Sequence, residues 1–109
     1  MAYDEGVAER LRDLLADYPG VVEKKMFGGL AFMFRGHMLV GIIEGSLMAR
    51  VGLDAYAKAL RQPSVREMDF TGRPMKGYVY VDAAGFDSDA DLNKWLALCL
   101  AHNRSLPPK

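Results

Sequence analysis

Cysteine is nearly absent from this chain. Cys99 stands alone, so no internal disulfide can form and nothing points to an oxidising compartment. Histidine is almost as scarce: His37 and His102 fall in different predicted elements, and with Cys99 they make no zinc-ligand spacing. Excess charge is missing too. Lys and Arg number 14 and Asp and Glu number 14, so there is no bulk pull toward nucleic acid or a membrane surface. No apolar run approaches the roughly 20 residues of a membrane span; the longest are broken by Arg35, His37 and Glu44. The opening "MAYDEGVAERL" is acidic and lacks the apolar core of a signal peptide. A cytoplasmic protein is the expectation. Repeats, low-complexity stretches and linkers are also lacking, which predicts a single domain over residues 1–109.

What is present is patterned. Val7, Leu11, Leu14, Leu15 and Tyr18 form one apolar helical face, with Asp4 as its cap and Pro19-Gly20 as its stop. A strand-rich stretch follows, "VVEKKMFGGLAFMFRGHMLVGIIEGSLMARV". Its "RG" and "EG" pairs read as hairpin turns, and Gly28-Gly29 as a bend or bulge in the first strand. "LDAYAKALRQP" reads as a short helix capped by Asp54, with Tyr56 and Leu60 inward, ended by Pro63. "VREMDF" alternates, placing Met68 and Phe70 on one face, and "GYVYVD" is a strand by propensity. The last helix, "DSDADLNKWLALCLAHN", starts at Ser88 with Asp91 in the capping-box position. Its apolar stripe is Leu92, Trp95, Leu96 and Cys99. The order is α-β-β-β-α-β-β-α, which predicts an α+β fold with a mainly antiparallel sheet packed with helices.

"LAFMF" and "MLVGII" are apolar at nearly every position, as in strands buried on both faces. Three helices cannot easily cover both sides. Either the helices divide between the faces, or one face meets a partner. Met26, Met33, Met38, Met48 and Met68 all fall in predicted strands, and methionine suits adaptable apolar contacts.

"FTGRPMKGYVYV" has two glycines with four residues between them, but a phosphate-binding P-loop needs the Lys after the second glycine and a helix beyond it. Here Lys76 precedes Gly77 and a strand follows, so the stretch reads as a turn shaped by Pro74. Ser46, His37 and Asp69 could be written as a triad, but no nucleophile-elbow motif supports it. "DSDAD" lacks the glycine and terminal Glu of a calcium loop. Cys99 lies on a buried stripe and reads as an inert core thiol. No catalytic residue, metal ligand or cofactor is assigned.

Charge is uneven along the chain. Residues 1–20 carry a net −3, residues 21–81 a net +4 and residues 82–109 a net −1. Lys24, Lys25, Arg50, Arg73 and Lys76 in the basic middle are the candidates for contact with an anion or an acidic partner. The aromatic and basic residues of "KKMF" and "RPMKGYVY" would suit a nucleic-acid stacking platform, but zero net charge argues against strong direct binding.

Taken together, "KKMFGGLAFMFRGHMLVGI", "LMARV", "FTGRPMKGYVYV" and the final "RSLPPK" resemble the TfoX N-terminal domain family over almost the whole chain. The strongest signatures are Lys25-Met26-Phe27-Gly28-Gly29 and Gly72-Arg73-Pro74-Met75-Lys76-Gly77. The resemblance implies an α-β(3)-α-β(2)-α fold similar to secretion-chaperone-like domains. It also implies a link to regulation of competence genes. Full-length family members carry a second, C-terminal domain, for which 109 residues leave no room. No catalytic residue comes with the resemblance. Met26, Phe27, Gly28, Gly29, Gly72, Pro74 and Gly77 match the signatures as structural residues. The resulting expectation is a cytoplasmic protein-interaction module without catalysis, binding a protein partner or a second copy of itself. The alternative is a small-ligand, anion-binding or enzymatic domain with a pocket near Arg73 and Lys76.

Overall fold

The computed structural model describes residues 3–26, 28–69, 72 and 74–108; Phe27, Phe70 and Arg73, named above, lie outside the described residues. Helix α1 spans Glu5–Leu14. It begins at Asp4 because the Asp4 Oδ1 accepts hydrogen bonds from the backbone N–H groups of Gly6 (2.8 Å) and Val7 (3.3 Å). Such a cap is worth about 1 kcal/mol. Val7, Leu11 and Leu15 are buried, and Leu14 and Tyr18 half-buried, as the helical spacing predicts.

Four strands follow: β1 (Val22–Met26), β2 (Gly29–Phe34), β3 (His37–Ile43) and β4 (Ser46–Arg50). The expected order had three here. The additional strand arises because Gly28-Gly29 reverses the chain instead of bending one strand, so that Met26 pairs with Gly29 in antiparallel register. Gly28 supplies φ 75° for the turn. Gly29 answers a different demand: a Cβ there would collide with the Ile42 carbonyl on the neighbouring strand. The "RG" turn is as expected, with Arg35 at φ 57° and Gly36 at φ 84°, the left-handed pair of a two-residue hairpin.

Helix α2 spans Leu53–Leu60. Its N-cap is Gly52, not Asp54, which lies in the first turn and makes no cap bond. Gly52 holds φ 86°, and a Cβ on it would strike the His102 ring, so geometry excludes a side-chain cap. Next come β5 (Val65–Glu67), β6 (Tyr78–Val81), a 3-10 turn at Ala83–Gly85 and α3 (Asp89–Ser105). Ser88 caps α3, its Oγ accepting from the Asp91 N–H at 3.1 Å.

The strands form one open sheet in the order β1-β2-β3-β4-β6-β5, with every neighbouring pair antiparallel. The class is α+β. One face holds Leu30, Phe32, Val40, Ile42, Leu47, Ala49, Val79 and Val81, in a single cluster with Leu11 of α1, Ala59 of α2 and Leu92, Trp95, Leu96 and Cys99 of α3. Burying each such large side chain contributes roughly 1.5–3 kcal/mol, so this cluster accounts for most of the fold. All three helices join it, and none supplies a residue to the apolar cluster on the other face. The helices therefore do not divide between the faces. Among the described residues, no helix is long and apolar enough to cross a membrane.

Candidate functional site

Strand alternation sends the other half of the sheet's side chains away from the helices. Residues paired across antiparallel strands share a face. Reading the register across the sheet gives one row on the open side: Lys24, Ala31, Gly41, Met48, Tyr80, Arg66. Around its centre, Ala31, Met38, Met48 and Met68 are buried, and Met26, Met33, Ile43, Met75, Tyr78 and Tyr80 pack on them half-buried. The apolar pattern of β2 and β3 is thus explained on both sides. One side meets helices, and the other builds a shallow layer of methionine and tyrosine.

The turn after β5 folds onto this layer. The Met75 N–H donates to the Met68 carbonyl at 2.7 Å, and the Tyr78 N–H to the Met75 carbonyl at 3.0 Å. Gly72 and Gly77 take φ 80° and 89°. Gly77 is buried, and its carbonyl accepts from the N–H groups of Val51 (2.9 Å) and Gly52 (3.0 Å), which ties the start of β6 to the entry of α2. Among the described residues, nothing crowds the space a Gly72 side chain would take. Pro74 is exposed.

Basic side chains border the layer. The Arg50 guanidinium lies 5.3 Å from the ring centroid of Tyr78, its partner in the β4–β6 register. Arg66 lies 4.9 Å over Tyr80, its partner in the β5–β6 register. A cation over a ring at the protein surface is worth about 0.5–1 kcal/mol. Arg66 also grips Asp82 with two bonds, Nη2 to Oδ1 at 2.8 Å and Nε to Oδ2 at 3.1 Å, and Ser46 Oγ donates to the same carboxylate at 2.9 Å. The Arg66 guanidinium, with help from Ser46, holds the Asp82 carboxyl below its usual range. Burial and then Asp69 push the Tyr80 hydroxyl up, against the opposing charge of Arg66. Lys24 and Lys76 are exposed.

The expected contact residues divide. Lys24 pairs with Ala31 and shares the open face; Lys25 pairs with Leu30, a residue of the helix-side core, and projects the other way. Arg50 is on the open face, and Lys76 stands in the turn beside Met75. Arg66 was not among the candidates, and Tyr78 and Tyr80 entered only through the stacking platform of "RPMKGYVY". The period of two in "VREM" placed Arg66 on the side of Met68, and that was the available signal.

The triad written from Ser46, His37 and Asp69 does not assemble. Ser46 pairs with Ile43 and His37 with Phe34, at opposite ends of β3, about 20 Å apart at strand rise. His37 Nε2 instead lies 2.7 Å from the Pro107 carbonyl. Cys99 is buried, and burial pushes its thiol up to about 12, far from a reactive thiolate. Among the described residues, no group of three or more His, Cys, Asp or Glu is placed to hold a metal ion.

The open face offers adaptable apolar contact at its centre and cationic, stacking groups at its border. That arrangement can hold an apolar segment bearing carboxylates. No curated protein and no solved structure matches the chain. The TfoX N-terminal domain profile matches residues 13–103, including both glycine-rich turns and all six strands, and the chain belongs to the TfoX N-terminal domain family.

Proposed function

We propose that this domain is a protein-interaction module, without a reaction of its own, that docks an apolar segment carrying acidic residues on the open face of its sheet. The observation that carries this reading is the helix-free layer of Met26, Met33, Ile43, Met75, Tyr78 and Tyr80, bordered by Lys24, Arg50, Arg66 and Lys76. Half-exposed methionines and tyrosines give contact area that adapts to a partner. Lys24, Arg50 and Lys76 favour opposite charge at the border, Arg66 being paired with Asp82, and like charge brought against them would cost affinity. A second copy docking face to face would set these bases against one another. The family's link to competence suggests that the partner belongs to transcriptional control.

The test pairs two measurements. Wild-type protein and the variants Met33→Asp and Lys24→Glu/Arg50→Glu are used to capture partners from the native cell, and the main captured protein is purified and titrated. Loss of its binding in both variants, with thermal stability retained, is the expected result. Equal binding by all three proteins would sink the proposal. Light scattering at high concentration addresses the second copy: a dimer that Met33→Asp dissociates would put this chain itself on the face.

A further inference from the structure

A second feature lies on the helix side of the sheet. A cleft of about 620 Å³ opens between α2 and α3, within the range of roughly 300–1,000 Å³ typical of small-molecule sites. Small side chains on the two facing helices leave it open. Ala55 and Ala59 of α2 and Ala97 of α3 present only methyl groups where larger side chains would close the gap. Leu98, Pro63, Ala84 and the Trp95 indole add to the apolar lining. Trp95 is held in place, its Nε1–H donating to the Gly85 carbonyl at 3.0 Å. A smaller cleft of about 360 Å³ at the start of α2 shares Ala55 and Leu98 with the first, so the hollow continues along the helix junction.

Charge in the larger cleft leans positive, and Asp54 lines the smaller one. Lys58 of α2 and Lys94 of α3 both line the larger cleft, against one carboxylate, Asp91. Neither lysine is ion-paired among the described residues. Two lysines from different helices, beside an apolar lining that includes an indole, match a ligand with a ring-sized apolar body and one anionic group. We infer that the α2–α3 cleft is a binding site for a small organic anion of the aromatic carboxylate or sulfonate class. The site is separate from the open sheet face and stands or falls independently of the docking proposal.

Trp95 is the single tryptophan of the chain and reports from within the cleft. The probe is anilinonaphthalene sulfonate, titrated against the folded protein with Trp95 excitation. Expected are saturable one-to-one binding with energy transfer from Trp95, and a Kd at least ten-fold weaker in Lys58→Glu/Lys94→Glu. Both lysines are exposed, so that variant should fold. Ala97→Phe, also at an exposed position, should block the cleft and abolish the transfer. Met33→Asp, on the opposite face, should leave binding unchanged. Loss of binding in Met33→Asp alone would place the probe on the sheet. Equal affinity for the uncharged analogue phenylnaphthylamine, or no saturation, would overturn the anion site.

Discussion

Gly41 and Met48 face each other across the β3–β4 register, and the Met48 Cε occupies the space that a side chain on Gly41 would need. A Cβ on Gly41 would stand 2.7 Å from that methyl, 2.9 Å from the Leu30 carbonyl oxygen and 3.2 Å from the Met38 Cε. The missing side chain on one strand thus permits the methionine layer on its neighbours. Gly41→Ala should destabilise the fold by about 1–3 kcal/mol through overpacking, read from urea denaturation midpoints. Adding Met48→Ala should restore little: the methyl contact is relieved, but the carbonyl contact stays and a buried methionine is lost.

Arg66 separates stability from binding. Its pair with Asp82 is more than half exposed on the Arg side, and exposed pairs contribute about 0–1 kcal/mol. Arg66→Gln should therefore shift the denaturation midpoint slightly. Because Arg66 also stacks on Tyr80 at the border of the open face, the same change should weaken partner binding several-fold. Full affinity for the partner in Arg66→Gln would remove this residue from the docking surface.

Much of this was legible before any coordinates. The Asp4 and Ser88 caps, the α3 stripe and the "RG" turn follow from local rules acting over four residues or fewer. Gly28-Gly29 was ambiguous because a bulge and a tight turn both call for glycine; only the pairing of Met26 with Gly29 decides between them. Asp54 satisfied the cap preference, but contact between Gly52 and His102, distant in sequence, set the helix start two residues earlier. The continuous apolar runs of β2 and β3 showed that both faces are apolar. They could not show that all three helices choose the same one. The cleft between α2 and α3 left no local trace, since its alanines are ordinary helix formers until the two helices are side by side.

His102 gives a stability that depends on pH. Burial, and then the positive charge of Arg50, hold its ring below the usual 6.5, while Asp54 opposes them and His37 adds to the lowering. Just below pH 6.5 the unfolded chain therefore binds more protons than the folded one, and stability falls as pH falls through that window. In His102→Gln this decline should flatten, as measured by denaturant midpoints from pH 7 downward. An unchanged slope would show that other groups carry it. Asp82 and Glu23, each held low by an arginine partner, act further down the scale. Their contribution is present above the normal carboxylate range and is lost as pH falls through their lowered values, so it leaves the His102 window undisturbed.

Cys99 should be silent in the native protein and reactive only when the core opens. It is 1% exposed on the buried side of α3, and burial pushes its thiol up to about 12. At pH 8 almost no thiolate exists in the folded state, whereas the unfolded thiol ionises near its ordinary value of about 8.5. Ellman's reagent should therefore titrate no thiol in native buffer and one per chain in denaturant. The slow native labelling that does occur should be gated by opening of the helix-side core. Gly29→Ala, which would push β2 off the Ile42 carbonyl, should accelerate that labelling by an order of magnitude or more, because a loss of about 1.4 kcal/mol raises the open population ten-fold. Met33→Asp, confined to the opposite face, should accelerate it far less. Prompt reaction of the native wild-type thiol would contradict the helix packing that places Cys99 inside.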